Sequence, residues 1–188
     1  MGLFDTLLGR TKPVKANLDA LFSLPTAALT LQSAGGLVTS GHAGVCWKPP
    51  AGQGAADLQT EVSELVGDGF THVQDSFGYG WLLLANPDLE ELVTQCHMAN
   101  STLSDAGWGP QLLCSVFGFV PGPDAAEDAK KFSLVYLFKR GTFYPFAAAG
   151  KERRDTELEL RIRAMLGADL PVESDVARWF PLWDLPVA

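Results

Sequence analysis

The chain has 188 residues, of which 47% are hydrophobic and 19% are charged, and this composition is typical of a globular protein rather than a disordered one. This length is ordinary for one domain and allows a core without disulfides or metals. The formal charge of −8 and the pI of about 4.8 surround the protein with a negative field that repels polyphosphates. We therefore expect one domain that does not bind nucleic acid.

The cysteines and the apolar runs indicate an intracellular protein. Cys46, Cys96 and Cys114 are widely spaced and form no CxxC pair, so neither a disulfide framework nor a zinc site is indicated. The central apolar run at 81–85 is far shorter than the roughly 20 residues of a membrane-spanning helix. The first residues lack the pattern of a secretory signal. We expect a cytoplasmic location, with peripheral contact to the inner face of the membrane as an option.

Residues 1–24 are predicted to form an amphipathic helical arm that precedes a domain of residues 25–188. Two short apolar stretches have helical spacing, and Pro25 is expected to end the second. The apolar side of the first stretch would contact a partner helix, a membrane surface or the protein's own domain. Its members are Leu3, Phe4, Leu7 and Leu8.

Two hairpins and a helix are predicted after the arm. β-Branched residues on both sides of Gly35-Gly36 favour two strands joined by a tight turn. An amphipathic helix should then end at Gly67, and a second hairpin should turn near residues 76–78.

The longest helix is expected to have Asn86 as its N-cap and Pro87 in its first position, and to stop at Gly107. Asn100 falls within its apolar stripe, where an amide needs hydrogen-bond partners. We expect bonds to backbone in a packed core, and the alternative is that Asn100 orients a ligand. The apolar stripe contains Leu89, Leu92, Val93, Cys96 and Leu103.

Residues 111–120 are apolar at positions that would face either side of a strand. This pattern predicts a central strand covered on both faces. Residues 132–138 and 142–147 should form a hairpin in which Gly141 adopts a positive φ angle. Pro145 cannot donate a ladder hydrogen bond, so its strand is expected to lie at a sheet edge or to be irregular there.

The last helix is predicted to run from Thr156 to Gly167. Thr156 and Glu159 have the spacing of a capping box, and Glu159 and Arg163 have the spacing of an i,i+4 ion pair. The whole order predicts an α+β domain with a mostly antiparallel sheet packed by two or three helices, because the strands are joined too tightly for parallel crossovers. By this element order alone the fold is similar to type III secretion chaperone-like domains.

Signals for catalysis and metal binding are weak. No nucleophile elbow and no phosphate-binding loop is found, so we expect no catalytic residues and no cofactor. A small-molecule site or an enzyme pocket beside helix 87–106, near Asn100 and His97, is the alternative. Two separate pairs of potential metal ligands occur, and each pair alone supplies fewer ligands than a metal site needs. They are His42 with Cys46, and Cys96 with His97.

Two aromatic clusters are candidate surfaces for a partner. The stretch FKRGTFYPFA departs from an RNA-binding submotif at Thr142 and Pro145, so a hairpin is the better interpretation. If its aromatic residues are buried, the partner surface should lie at the chain termini. The tryptophans of the C-terminal tail either pack on the domain or dock a partner. The candidates are Phe143, Tyr144 and Phe146 in the hairpin, and Trp179 and Trp183 in the tail.

Four linked blocks run through nearly the whole chain: MGLFDTLLGRTKPVKANLDALFSLPTAALTL, DAGWGPQLLCSVFGF, LVYLFKRGTFYPFA and LPVESDVARWFPLWDLP. Together they resemble the PspA-associated protein family PspAB of actinobacteria and some other prokaryotes. The resemblance implies a cytoplasmic, non-enzymatic accessory protein of the phage-shock envelope-stress system. It implies the membrane-binding coiled-coil protein PspA as a partner and, by gene neighbourhood, an HtpX-type membrane metalloprotease. The family brings no known catalytic residues.

Overall fold

The computed structural model describes residues 16–50 and 55–187, the side chains of 55–58 aside. In these residues one six-stranded sheet is packed by four α-helices. The strands are β1 (Leu37–Trp47), β2 (Thr71–Gln74), β3 (Gly80–Ala85), β4 (Leu112–Pro121), β5 (Phe132–Leu137) and β6 (Thr142–Phe146). The helices are α1 (Leu24–Gly35), α2 (Ala55–Val66), α3 (Leu89–Leu103) and α4 (Thr156–Leu166). Leu3, Phe4, Leu7 and Leu8 lie outside the described residues.

The sheet has the order β2-β3-β1-β4-β5-β6, and every neighbouring pair is antiparallel. This confirms the predicted α+β class. Strand β4 is central, and apolar clusters lie on both of its faces, as its unbroken apolar sequence predicts. Helices α1, α3 and α4 cover one face, which we call the helix side, and the C-terminal tail covers the other, which we call the tail side.

The first predicted hairpin is wrong, because its first strand is helix α1. Pro25 lies in the first turn of this helix, where its missing N–H costs no hydrogen bond, so it starts a helix instead of ending one. Gly36 then adopts φ 63° and its N–H donates to Gln32 O, which makes it a helix-terminating glycine rather than a hairpin turn. Leu24, Ala27 and Leu31 are the buried stripe of α1.

The last part of the predicted arm contacts the rest of the domain. Residues Leu18–Ser23 form a 3₁₀-helix, and Leu21 and Leu24 are buried in the helix-side core. Tyr136 Oη donates a hydrogen bond to Asn17 O at 2.8 Å, which ties this segment to β5. The boundary at residue 24 stays a prediction.

The long helix is confirmed, but its start differs from the prediction. Asp88 is the N-cap, and its carboxylate accepts from Glu90 N at 2.8 Å. Asn86 instead accepts from Asp88 N and so shapes the turn before the helix. A carboxylate at this position also interacts favourably with the positive end of the helix dipole.

Asn100 lies in the packed core, as expected. Its Nδ2 donates to Cys96 O and to Ser115 Oγ, both at 2.8 Å, so it bonds α3 to the central strand β4. His97 lies at the outer surface of α3, where its ring packs against Phe22 and its Nε2 lies 3.8 Å from an Asp19 oxygen. Asn100 thus points into the packed core, whereas His97 lies half-buried at the surface of α3 against Phe22.

Helix α4 begins at Thr156 and ends before Gly167, as predicted, but without the capping box. Asp155 is the N-cap, and its carboxylate accepts from Leu158 N at 3.1 Å. Glu159 is buried and accepts from Ala147 N at 2.9 Å and from Arg154 Nε at 3.0 Å. Its ion-pair partner is therefore Arg154 instead of Arg163, and its hydrogen bond from Ala147 N ties α4 to the end of β6.

The C-terminal tail, residues 171–187, first completes the open edge of β6. Phe143 N donates to Pro171 O at 2.9 Å, and Glu173 N donates to Phe143 O at 2.7 Å. Val172 and Phe143 form a parallel bridge between these bonds. This short pairing occupies backbone groups that an edge strand would otherwise expose.

Aromatic contacts then hold the tail across the sheet. Trp179 stacks on Tyr144 with the ring centroids 6.1 Å apart, and Trp183 packs edge-on against Phe146 at 5.5 Å. Tyr144 Oη donates to Phe180 O at 2.8 Å, and the Arg154 guanidinium donates to Trp179 O. In this structure the tail therefore packs on its own domain, which is the first of the two alternatives for its tryptophans.

A buried carboxylate organises the base of the tail. Glu173 accepts hydrogen bonds from the Arg140 guanidinium, from Thr142 Oγ1 at 3.0 Å and from Asp175 N at 3.1 Å. Trp179 Nε1 donates to Glu173 O at 3.0 Å, so the same residue also fixes the main tail anchor. Burial opposes ionisation of Glu173, but the hydrogen bonds outweigh it and hold the pKa of the carboxyl below its ordinary value of 4.5.

The tight contact between Gly80 and the Trp47 indole gives a first prediction. A Cβ at position 80 would lie 2.3 Å from Trp47 Cε2 and Cζ2. We expect Gly80→Ala to lower the free energy of unfolding in urea by about 1–3 kcal/mol, because the core there is overpacked. Gly109→Ala is the control, since its nearest neighbour is 3.4 Å away and its φ of −49° suits alanine. Equal stability of both variants would contradict the packing described.

The Glu173 cluster gives a second prediction. Glu173→Gln should lower the free energy of unfolding at pH 7 by about 1–3 kcal/mol, because Arg140 loses a buried partner. The carboxylate stabilises the wild type above pH 4.5, and this stabilisation is lost as the pH falls through the lower folded-state pKa. The difference between variant and wild type should therefore shrink in acid, measured by urea unfolding across pH. The exposed Glu127→Gln should have no such effect, and a constant difference at all pH values would exclude the proposed role of Glu173.

Candidate functional site

An open groove of about 630 Å³ lies on the tail side, between the β2–β3 turn and residues 178–183 of the tail. We call it the tail-side groove. Its floor consists of side chains from five strands of the sheet, and most of them are apolar. The floor residues are Cys46, Trp81, Leu113, Cys114, Leu137 and Tyr144.

Exposed aromatic side chains lie on two sides of the tail-side groove. Phe77 is 59% exposed at the tip of the β2–β3 turn, and Phe180 is 58% exposed on the tail. Trp183 lines the groove between them and is half-buried. Large exposed apolar side chains next to an apolar groove are typical of a binding surface.

Asp75 gives the aromatic turn a fixed shape. One of its carboxylate oxygens accepts from Phe77 N and Tyr79 N, both at 2.9 Å. The other oxygen accepts from Trp81 Nε1 at 2.9 Å, which joins the turn to the groove floor. Phe77 is therefore presented by a hydrogen-bonded loop rather than by a loose one.

Three cationic residues line the wall opposite this turn. Arg140 pairs with Glu173, and Arg178 Nε lies 3.0 Å from an Asp175 carboxylate oxygen. Lys139 Nζ donates to Pro110 O at 2.8 Å, and it has no carboxylate partner in the described part of the chain. Lys139 is thus the wall cation that an incoming carboxylate would meet first.

Two ionisable side chains of the floor have raised pKa values. Burial raises the pKa of the Tyr144 hydroxyl, which already donates a hydrogen bond to Phe180 O. The hydrogen bond with Cys114, together with burial, raises the pKa of the Cys46 thiol. Both side chains stay protonated at neutral pH, so neither adds a charge to the apolar floor.

The candidate residues predicted from sequence fall at different depths. Phe143, Tyr144 and Phe146 are buried, Phe143 in the helix-side core and the other two in the tail-side cluster. Trp179 is buried as well. The structure brings Tyr144 and Trp183 together in the tail-side groove.

The pairs considered as metal ligands are not brought together into a larger cluster. His42 is exposed on β1, and its Nδ1 lies 3.1 Å from Ser40 O, whereas Cys46 is buried on the tail side. Cys96 is buried on the helix side. Within residues 16–50 and 55–187, no three His, Cys, Asp or Glu side chains lie close enough to hold a metal ion.

Sequence reasoning missed the groove residues Phe77, Phe180 and Lys139. The sequence signal was a phenylalanine inside each of two turn-like segments, the polar residues 75–79 and the proline-containing residues 180–181. In the structure both side chains are exposed. Sequence gives no distance between two such turns, so their meeting at one groove emerges only from the fold.

No α-helix in the described part of the chain is both long and apolar enough to cross a bilayer. Comparisons with curated proteins and with solved structures gave no match, so the likeness to type III secretion chaperone-like domains stays a prediction. The family described as PspAB, PspA associated protein B, matches residues 1–187. This match covers the fold, the tail and the groove alike, and the chain therefore belongs to the PspAB family.

Proposed function

We propose that this protein is a non-enzymatic accessory protein of the PspA envelope-stress response, and that it binds a helix of a PspA-like coiled-coil protein in the tail-side groove. The observation that carries the proposal is the apolar groove of about 630 Å³ flanked by the exposed Phe77 and Phe180. The family description supplies the partner, since PspAB proteins are described as PspA-associated.

An amphipathic helix suits the tail-side groove better than an extended strand does. Helix-in-groove recognition needs an apolar channel with side chains at its borders, and this groove has both. Strand addition needs a free sheet edge, whereas the floor of the tail-side groove is a face of the sheet, and the tail occupies part of the nearby β6 edge. A carboxylate beside the apolar stripe of the partner helix would pair with Lys139.

The polar groups of the tail-side groove favour binding over catalysis. Asp75 accepts three hydrogen bonds, Tyr144 donates to the tail, and Lys139 donates to Pro110 O. These groups are used to hold the groove together, so none of them is paired as nucleophile and base. This supports a non-enzymatic role.

The N-terminal residues Leu3, Phe4, Leu7 and Leu8 form a second proposed contact. Their apolar spacing suits a partner helix or the inner face of the membrane. The HtpX-type membrane metalloprotease implied by the resemblance would be met at that membrane face. The arm would thus locate the protein near the envelope while the groove selects PspA.

Removal of the groove aromatics is the main test. The double variant Phe77→Ala/Phe180→Ala should weaken binding to the PspA of the same organism about tenfold or more, because exposed aromatics next to a groove are typical binding hot spots. Binding is measured by calorimetry with purified proteins, and unchanged thermal midpoints verify folding. Leu29→Ala is the matched control, since Leu29 is 66% exposed but lies on α1 at the helix side. A loss caused by Leu29→Ala alone would move the partner surface to the helices.

The arm is tested separately by replacing its apolar side. Serine at positions 3, 4, 7 and 8 should lower recovery of the protein with membranes and of PspA in a pull-down, because the apolar contact is lost. Serine at positions 5 and 6, which changes only the other side, is the control. Unchanged recovery of PspA and membrane with the four-serine variant would remove the proposed role of the arm.

A further inference from the structure

Two thiols meet on the floor of the tail-side groove. Cys46 of β1 and Cys114 of β4 are directly opposite each other in the antiparallel register, and both belong to the tail-side cluster. Opposed residues of antiparallel strands have Cα atoms about 4.5 or 5.5 Å apart, and disulfides span Cα separations of about 4.4–6.8 Å. The backbone is therefore already in place for a disulfide, and both thiols are free.

The two cysteine side chains lie on the same face of the sheet, because directly opposed residues of antiparallel strands share a face. Cys46 is 3% exposed and Cys114 is 6% exposed, and both line the tail-side groove.

We propose that Cys46 and Cys114 are a redox site, at which hydrogen peroxide converts the two thiols into a reversible disulfide between the central strands. Cys114 Sγ attacks one peroxide oxygen, the O–O bond breaks, and Cys114 becomes a sulfenic acid as one water leaves. Cys46 Sγ then attacks the sulfenic sulfur, the S–S bond forms, and the second water leaves. A dithiol reductant restores both thiols and is itself oxidised to a disulfide.

The local chemistry fits a transient link instead of a permanent one. The raised pKa of Cys46 keeps its proton on sulfur and slows its direct reaction with an oxidant, so the first step is assigned to Cys114. In a reducing compartment, disulfides are usually transient and redox-sensing. Cys96 has no such neighbour, since it lies in the helix-side core. This inference concerns the floor alone and holds whichever partner occupies the groove.

The experiment treats the full-length protein with hydrogen peroxide, quenches it with an alkylating reagent, and counts free thiols after unfolding. The wild type should fall from three free thiols to one, peptide mapping should link Cys46 to Cys114, and dithiothreitol should restore all three. Cys96→Ala should lose its two remaining thiols in the same way. Cys46→Ala and Cys114→Ala should form no intramolecular link.

Three results would overturn the proposal: an unchanged thiol count, a link that involves Cys96, or sulfinic acid at either site without a link. Thermal unfolding gives a second readout that needs no variant. The peroxide-treated wild type should melt several degrees higher than the reduced form, because the link closes a long loop of the unfolded chain. An equal or lower midpoint would contradict a native cross-strand disulfide.

Discussion

The structure depends on the need to cover two apolar faces of one antiparallel sheet. Strand β4 is buried along most of its length, so neither face tolerates water. Helices α1, α3 and α4 cover one face, but no α-helix packs on the other in the described part of the chain. The tail takes that place, and it is held by the Glu173 cluster at its base and by the stacking of Trp179 on Tyr144.

A tail covers a sheet less completely than a helical layer does, and the candidate site follows from this difference. Residues 178–183 lie beside the floor and leave the tail-side groove open towards the β2–β3 turn. Asp75 holds that turn so that Phe77 borders the opening. The protein's own helices cover the helix side of the sheet. In the proposed complex, a helix of PspA would pack on the tail side in a similar way.

Much of the fold could be predicted from sequence where one local signal had one physical meaning. The apolar run of β4 predicted burial on both faces, and Pro145 predicted an edge strand, which β6 is. The sequence around Gly36 is ambiguous because a left-handed glycine serves a hairpin turn and a helix end equally well, and the buried stripe of α1 shows that it ends a helix. The groove could not be predicted, because Phe77 and Phe180 are far apart in sequence and meet only through strand order. The pairing of Cys46 with Cys114 likewise depends on the β1–β4 register.

Hydrogen exchange of the protein with and without the PspA of the same organism tests the central claim most directly. Exchange reports which backbone amides become protected when a surface is covered. The account predicts that PspA slows exchange at residues 75–81 and 178–183, which border the tail-side groove, and leaves the outer surface of α1 and α3 unchanged. Protection confined to α1 and α3, with the groove segments unaffected, would contradict it.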